Sequence, residues 1–391
     1  MHTTHRHDHS LIPPEQSPAL PCGAPPLHLL FWESTVACNL ECIHCRRLEV
    51  ASELSKYDLT TAQVKNFIST LPEVGKPIFV FSGGEPLKRP DLFELTEHTR
   101  SVGLPTALAT NGTLITEAIA RQIVEVGIRR VSISFDGPDA QTHDHFRGKW
   151  GGGAFDAAVA GAKLLRKQNI SLQINATIAR HNYASLDRIY NLALSLNADA
   201  LHLFMLVPVG CGMELPESIM LQAAEYEKAL HWIHDRSLEG KLHMKATCAP
   251  HYFRVMRQRG KKPEARSQKP EESAPVHSPS GSRLLASGFS PATKGCLAGQ
   301  AIAFVSHTGE VFPCGYLPVT SGNVTATSFP KIWRESKVFA DMRDDSRLEG
   351  KCGVCEFKKV CMGCRARAYA ATGNYLAEEP NCDFIPTRIR T

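Results

Sequence analysis

Three cysteines near the start of the chain are spaced so that they could bind iron. They are Cys38, Cys42 and Cys45, in the pattern CxxxCxxC. Three thiols on one short loop can bind three irons of a 4Fe-4S cube and leave the fourth iron open to a small molecule. A zinc knuckle is the alternative, although a structural zinc normally takes four protein ligands. We therefore expect an iron–sulfur centre with one open position in this loop.

A second group of seven cysteines lies nearer the C-terminus. Its members are Cys296, Cys314, Cys352, Cys355, Cys361, Cys364 and Cys382. The surrounding sequence is short and rich in turn residues, and a region of this size rarely builds a sufficient apolar core unaided. We expect bound metal to hold it together, either as iron–sulfur clusters or, alternatively, as two zinc knuckles.

The composition narrows the function classes. The chain has 391 residues, a net charge of +5 and dispersed basic residues, so no nucleic-acid partner is expected. No apolar stretch reaches the roughly 20 residues of a membrane span, and the N-terminus lacks the apolar core of an export signal. The 13 cysteines therefore indicate metal or redox chemistry in a reducing, cytoplasmic compartment rather than a disulfide framework.

Six apolar, β-rich runs alternate with helical patterns over residues 27–210. The runs cover residues 28–32, 77–81, 106–109, 131–135, 172–176 and 201–206. Between them, Pro90 and Gly103 bracket one helix, and Thr116 and Gly127 bracket another. This alternation is typical of βαβ units with a parallel sheet. We predict an α/β fold with a partial (β/α)6 barrel, whose active site lies at the carboxyl ends of the strands.

Composition divides the chain into four parts. Residues 1–26 are rich in His and Pro and are expected to form a disordered tail. Residues 27–210 carry the barrel. Residues 211–292 are expected to form two bridging helices and a mobile insertion at about 260–292, which is rich in Pro, Ser, Lys and Glu. Residues 293–391 form the cysteine-rich domain.

The first cysteine loop and the strand ends resemble the radical S-adenosylmethionine (SAM) superfamily. Gly83, Gly84 and Glu85 follow the second predicted strand and are similar to the family's GGEP motif, which implies that Glu85 pairs with the amino group of SAM. The resemblance implies further SAM contacts at later strand ends, at Asn111, Ser134, Asp136, Asn175, Thr177 and Val207. Each polar residue alone could simply cap a loop. We expect His143 and Arg147 to order the loop after strand four.

The second cysteine group resembles the SPASM domain of radical SAM enzymes, which carries auxiliary 4Fe-4S clusters. The resemblance implies a distal cluster bound by Cys352, Cys355, Cys361 and Cys382. It implies three ligands for a nearer cluster, namely Cys296, Cys314 and Cys364. No further cysteine follows Cys296 closely, so the fourth ligand of the nearer cluster is not evident. Cys248 is a candidate, and an open iron is the expectation.

Further segments resemble the tetrapyrrole-modifying radical SAM enzymes, most closely the haem synthase family of the sirohaem-dependent route. The similar segments include residues 245–252, 313–316 and 363–370. The resemblance implies oxidative decarboxylation of two propionates of iron-coproporphyrin III to vinyl groups, forming haem b. An external donor such as ferredoxin or flavodoxin would supply electrons in an anaerobic setting. Candidate substrate contacts are Arg365, Arg367, His307 and Tyr316. The two arginines could instead cap a helix or neutralise the thiolate-bound cluster.

The implied chemistry requires both kinds of cluster. A reduced cluster would cleave SAM, and the resulting radical would remove hydrogen from the β-carbon of a propionate. Loss of CO2 then releases one further electron, which an auxiliary cluster could accept. Three alternatives stay open: a sister tetrapyrrole enzyme that removes acetates or forms haem d1, a SPASM-type peptide maturase, and a non-enzymatic electron carrier or zinc scaffold.

Overall fold

The computed structural model describes residues 23–48, 50–147, 152–260 and 295–390. The insertion expected at about 260–292 lies outside the described residues, apart from Gly260, and so does most of the expected N-terminal tail. The last residues of that tail are packed. Ala24 is buried in the main core, and the Pro25 carbonyl accepts a hydrogen bond from the Trp333 indole at 2.8 Å. Packing therefore begins a few residues before the expected boundary at residue 27.

The described residues contain one ten-stranded sheet. Its strands are β1 Leu29–Glu33, β2 Ile78–Ser82, β3 Thr106–Thr110, β4 Arg130–Ser134, β5 Ser171–Ile178, β6 Ala200–Met205, β7 His243–Thr247, β8 Ile302–Val305, β9 Glu310–Phe312 and β10 Gly322–Asn323. The spatial order is β10-β9-β8-β1-β2-β3-β4-β5-β6-β7. Strands β1 to β7 are parallel neighbours, which confirms the predicted α/β architecture.

The structure adds a seventh consecutive parallel strand to the six that were predicted. Residues after 210 were expected to form two helices, but β7 lies between them and pairs with β6, with Phe204 opposite Thr247. Only Met244 and Ala246 of this strand are buried and apolar. The pattern was therefore too short and too polar to indicate a strand from the sequence.

Helices connect the strands in the expected way. The helices of the barrel part are α1 Thr61–Thr70, α2 Leu92–Ser101, α3 Glu117–Glu125, α4 Ala140–Phe146, α5 Ala154–Lys167, α6 Arg180–Tyr183, α7 Leu186–Ser195, α8 Ala223–Leu238 and α9 Tyr252–Gln258. Those of the cysteine-rich part are Phe329–Glu335, Lys337–Arg343, Gly350–Val354 and Arg365–Thr372. Thr116 caps α3 by accepting a hydrogen bond from the Ile119 amide, as predicted. Helix α2 begins at Leu92, slightly later than Pro90 indicated.

The sheet buries one face and leaves the other partly open. Along β5, alternate residues such as Ile174 and Ala176 are fully buried in the apolar core, whereas Gln173, Asn175 and Thr177 on the opposite face are partly exposed. Because β1 to β7 are parallel, their carboxyl ends meet at one edge of the sheet. The loops that carry the predicted site residues therefore share that edge.

The cysteine-rich region continues the same sheet. Strand β8 pairs in parallel with β1, from Leu29 opposite Ile302 to Trp32 opposite Val305. Strands β9 and β10 then extend the edge in antiparallel fashion. This pairing places the loops after β1 and β8 side by side. Within the described residues, no helix is both long enough and apolar enough to cross a membrane.

Candidate active site

The first cysteine loop directly follows β1 and is provided with hydrogen-bond donors. Its three cysteines are free and partly buried. The donors to Cys38, Cys42 and Cys45 are, respectively, the Leu40 amide at 3.4 Å, the Arg147 guanidinium at 3.6 Å and the Arg47 guanidinium at 3.2 Å. Burial raises the pKa of Cys38 and of Cys42, the latter to about 11, and the nearby cations and N–H groups act against this rise. The sulfurs therefore suit ligation of an iron–sulfur cluster.

The two glycines of the GGEP motif bring the loop after β2 against the chain that enters the cysteine loop. The Gly84 amide donates to the Thr35 carbonyl at 2.8 Å, and the Glu85 amide donates to the Ala37 carbonyl at 2.9 Å. A Cβ atom at Gly84 would overlap the Ala37 carbonyl. Gly83 has a φ of +133°, in the region that favours glycine. These glycines therefore position the cysteine loop.

Glu85 ties together the loops after β2 and β3. Its carboxylate is fully buried and accepts hydrogen bonds from the Thr110 hydroxyl at 2.7 Å, the Asn111 amide at 2.8 Å and the Leu87 amide at 3.1 Å. The Asn111 side chain in turn donates to the Asn39 side chain at 2.9 Å, inside the cysteine loop. Pairing of Glu85 with SAM remains a prediction, and its visible role is to hold these loops.

Asp136, at the end of β4, is the centre of a buried polar network. Its carboxylate lies 2.7 Å from Arg147 and 3.2 Å from His44, and it accepts a hydrogen bond from the Thr177 amide at 2.7 Å. Burial alone would raise the pKa of Asp136, but Arg147 and His44 outweigh it and hold this pKa far below its usual range. Burial lowers the pKa of His143 to about 3, so its neutral ring accepts the Asp136 amide hydrogen at 3.1 Å.

Arg147 joins this network to the cysteine loop, because the same guanidinium contacts Asp136 and Cys42. His143 and Arg147 thus order the loop after β4. The network also includes rings that the sequence did not single out. Phe146 is stacked between His44, at 4.0 Å, and His181, at 3.9 Å between ring centroids. The available signal for His44 was its position between Cys42 and Cys45.

The other predicted SAM contacts lie at or just beyond the ends of their strands, and all but Val207 have a partly exposed side chain. Ser134 and Asn175 are paired in register on β4 and β5, and Thr177 follows two residues later. All three are partly exposed at the edge that carries the cysteine loop. The Val207 side chain is instead buried in an apolar cluster with Ala298. A SAM contact at Val207 would therefore have to use its backbone.

The structure brings together the four cysteines predicted for the distal cluster. Cys352, Cys355, Cys361 and Cys382 line one cavity. Three of these sulfurs accept backbone hydrogen bonds, from the amides of Glu379, Phe357 and Gly363, each at 3.4 Å. Among the described residues, no three His, Cys, Asp or Glu side chains converge on a point that could hold a single metal ion. Cube ligands bind separate irons and need no such convergence.

The three cysteines predicted for the nearer cluster also meet. Cys364 is buried in an apolar cluster, and Cys296 and Cys314 pack against it. Burial, together with the neighbouring Cys296, raises the pKa of Cys314 to about 12. The unassigned Cys248, directly after β7, packs against the same apolar cluster.

Arg365 and Arg367 were predicted as substrate contacts, and in the structure both have partners within the protein. Both side chains are buried. Arg365 donates to the Tyr375 and Ala377 carbonyls at 3.0 and 2.6 Å. Arg367 forms an ion pair with the buried Glu379 at 3.1 Å. Their guanidinium groups are therefore engaged in holding the cysteine-rich domain, as the other interpretation of these arginines allowed.

A pocket opens between the cysteine loop and the nearer cysteine group. Its lining includes Glu33, Arg46, Arg47, His307, Cys314 and Tyr316. His307 and Tyr316 were predicted as substrate contacts and do line this pocket. The Asp58 carboxylate lies 2.8 Å from the His307 ring and fixes its orientation. The Arg46 guanidinium covers the Phe304 ring at 4.4 Å and donates to the Ser82 hydroxyl at 3.3 Å.

Sequence reasoning missed Glu33, Arg46 and Asp58. Glu33 is the last residue of β1, and Arg46 directly follows Cys45, so their adjacency to the cysteine motif was the available signal. Asp58 carried no signal, because its partner His307 is distant in the sequence. Burial raises the pKa of Glu33, although Arg46 and His307 oppose the shift.

Two protein-family models match the chain. The radical SAM superfamily model matches residues 32–193, which contain the cysteine loop and most of the parallel strands. A model of the iron–sulfur cluster-binding domain SPASM matches residues 296–364. These matches confirm the predicted family, fold and cofactors.

Similar proteins cover nearly the whole chain. The AdoMet-dependent heme synthase of Methanosarcina barkeri is 47% identical over 92% of this chain and 97% of its own length. That of Oleidesulfovibrio alaskensis is 44% identical over 94% of this chain and 89% of its own. The Fe-coproporphyrin III synthase of Methanosarcina barkeri is 31% identical over 92% and 89%.

A solved structure shows the same fold at low identity. SuiB from Streptococcus suis, bound to its precursor peptide SuiA, has a TM-score of 0.69 and 15% identity, covering 92% of this chain and 76% of that one. Such identity informs on fold alone. Taken with the family matches and the relatives, the chain belongs to the radical SAM superfamily, as a SPASM-domain enzyme that uses S-adenosylmethionine, a 4Fe-4S cluster and auxiliary iron–sulfur clusters.

Proposed function

We propose that this enzyme oxidatively decarboxylates two propionates of iron-coproporphyrin III to vinyl groups and so forms haem b. The similarity to two proteins named heme synthases, at 47% and 44% identity, supports this proposal. The lower identity of 31% to the Fe-coproporphyrin III synthase favours it over that sister activity. We further propose that ferredoxin or flavodoxin supplies the reducing electrons.

The observation that carries the proposal is the position and charge of the pocket. The pocket is lined by Arg46 and Arg47, which directly follow Cys45 of the cysteine loop, and by Cys314 of the nearer cysteine group. A substrate there would be within reach of both regions. Its propionates are anionic, and guanidinium groups bind carboxylates through charge-assisted, often paired hydrogen bonds. Arg46 therefore offers a binding group for a substrate carboxylate, in a lining that also contains the carboxyl groups of Glu33 and Glu310.

The pocket side chains would bind and orient the propionates. Arg46 uses one nitrogen for Ser82, and a guanidinium has five N–H donors, so others are available to a carboxylate. His307, oriented by Asp58, adds a second polar group to the pocket lining. Glu33, whose pKa burial raises, stays neutral to higher pH than an ordinary glutamate and so adds less repulsion toward the anions.

The protein must also supply a hydrogen acceptor and an electron acceptor. For each propionate, one hydrogen atom, one molecule of CO2 and one electron leave as the vinyl group forms. Bound SAM with its reduced cluster supplies the hydrogen-abstracting chemistry at Cys38, Cys42 and Cys45, and a cluster at Cys314 could take the electron. The protein's own part is to hold the propionate β-carbon at the cysteine-loop side of the pocket.

The test is an anaerobic turnover assay. The reconstituted enzyme is incubated with iron-coproporphyrin III, SAM and dithionite, and the products are identified by mass spectrometry. We expect haem b and two SAM molecules consumed per haem. Unchanged porphyrin together with active SAM cleavage would contradict the proposal. Conversion of an acetate-bearing tetrapyrrole, or of a peptide, under the same conditions would favour the sister enzyme or the peptide maturase instead.

A further inference from the structure

A fourth cysteine lies at the nearer cluster site. Cys248 packs against the same apolar cluster as Cys296 and Cys314, with Cys364 buried inside it. Cys248 directly follows β7, and its backbone carbonyl faces Arg367, three residues after Cys364. Four cysteines from four separate chain segments thus share one small apolar cluster.

The backbone holds Cys248 in an unusual conformation. Its φ is +56°, in the left-handed region that residues with a side chain rarely adopt. Its carbonyl accepts hydrogen bonds from the Arg367 guanidinium at 2.9 Å and from the Tyr226 hydroxyl at 3.0 Å. Strained backbone that is over-determined by its surroundings is typical of functional positions.

Charge at the site also fits a thiolate-bound cluster. The Arg367 guanidinium lies over the Tyr226 ring at 4.9 Å and donates to the Cys248 carbonyl at 2.9 Å. Glu379 pairs with Arg367 and accepts a hydrogen bond from the Cys364 amide at 2.7 Å. One buried ion pair therefore contacts the backbone of both Cys248 and Cys364.

We propose that Cys248 is the fourth thiolate ligand of the nearer auxiliary cluster. Its thiol would lose a proton to solvent as the iron–sulfur bond forms. This assignment replaces the expectation of an open iron. It rests on the auxiliary clusters of the SPASM domain and is independent of the tetrapyrrole substrate. It follows that the nearer cluster has no iron free to bind substrate, which protein side chains must hold instead.

The test uses the full-length protein with the radical SAM cluster removed by the substitutions C38A, C42A and C45A. Two auxiliary cubes should then remain, with about eight irons per chain. Cyanide, which binds an open iron, is added to the dithionite-reduced protein and the electron paramagnetic resonance spectrum is recorded. We expect no spectral change in this background. After the further substitution Cys248→Ala, cyanide should shift the spectrum of one of the two clusters.

Two controls keep the test decisive. Cys211→Ala in the same background removes a cysteine whose amide bonds to Cys45 and which is not part of the nearer group, so it should leave the cyanide response unchanged. Cys248→Ser should shift the spectrum without cyanide, because oxygen replaces sulfur on iron. Loss of about four irons in C248A, with the distal cluster retained, also supports ligation. Cyanide binding before substitution, or spectra of C248A and C248S identical to the parent, would overturn the proposal.

Discussion

The two cysteine regions that face the pocket are built by different means. The loop after β1 takes three cysteines from one segment and is positioned by hydrogen bonds and an ion pair from the ends of β2, β3 and β4. The nearer cysteine group takes Cys248, Cys296, Cys314 and Cys364 from four segments and is held by apolar packing and one buried ion pair. A single loop that binds a cluster with one open iron needs polar neighbours to hold it. Cysteines that come from four segments need an apolar core to bring them together.

The largest expected effects separate the two regions. Asp136→Asn removes the partner of buried Arg147, and Glu379→Gln removes the partner of buried Arg367. Leaving a buried charge unpaired costs about 3–5 kcal/mol. We expect each variant to lower the free energy of unfolding of the apoprotein by about this amount. Denaturant unfolding measures the change.

The reconstituted variants should differ in the cluster they lose. Asp136→Asn should lose SAM cleavage and keep the auxiliary clusters, whereas Glu379→Gln should lose the nearer auxiliary cluster and keep SAM cleavage. Iron content and 5′-deoxyadenosine formation measure the two outcomes. Loss of the same cluster in both variants would show that the two regions are not held independently.

The next effect concerns the substrate rather than the clusters. Arg46→Ala should weaken binding of iron-coproporphyrin III, because a hydrogen bond to a charged group contributes about 1.5–3 kcal/mol, roughly 10–100-fold in affinity. Absorbance titration measures the affinity. Arg121→Ala, which removes an exposed arginine of α3, is the matched control and should leave the affinity unchanged. Equal affinities for both variants would exclude Arg46 from the substrate site.

A smaller effect is expected from the glycine contact that positions the cysteine loop. Gly84→Ala places a Cβ against the Ala37 carbonyl, and crowding of this kind costs about 1–3 kcal/mol. The resulting displacement of the cysteine loop should lower the amount of iron that this loop binds and the rate of SAM cleavage. Gly152→Ala is the control, because a Cβ there meets nothing within 4 Å. Unchanged SAM cleavage in Gly84→Ala would show that the loop tolerates displacement.

The smallest effect is a pH dependence from Glu33. Burial raises its pKa above the usual 4.5, although Arg46, His307 and Arg47 act to lower it. The neutral form therefore stabilises the folded protein at low pH, and this contribution is lost as the pH rises through the raised pKa. The carboxylate that then forms repels the anionic substrate, so affinity should fall a few-fold over the same range. Glu33→Gln should flatten this fall, and an unchanged pH profile would contradict the role.

Much of the architecture was predictable because it is encoded locally. The first six strands, the Thr116 cap and both cysteine groups follow from short patterns, since periodicity and spacing are properties of neighbouring residues. Strand β7 was missed because its stability comes from pairing with β6. The pocket was missed in part because Asp58 and His307 meet only through the pairing of β1 with β8.

Long-range contacts also explain the corrections at the site. Arg365 and Arg367 follow a cluster cysteine and carry the charge that a polyanionic substrate needs, but their partners, such as Glu379, are unrecognisable in sequence. Cys248 likewise has no motif spacing to the other three cysteines. Its place among them depends on where β7 ends and on the hydrogen bonds that hold its carbonyl.

The most direct test of the proposed reaction follows the hydrogen that leaves the substrate. Iron-coproporphyrin III with deuterium on the β-carbons of its propionates is incubated anaerobically with enzyme, SAM and dithionite, and 5′-deoxyadenosine is analysed by mass spectrometry. The proposed reaction predicts one deuterium in each 5′-deoxyadenosine and one such molecule for every vinyl group formed. Unlabelled 5′-deoxyadenosine alongside vinyl formation, or SAM cleavage with the propionates intact, would contradict it.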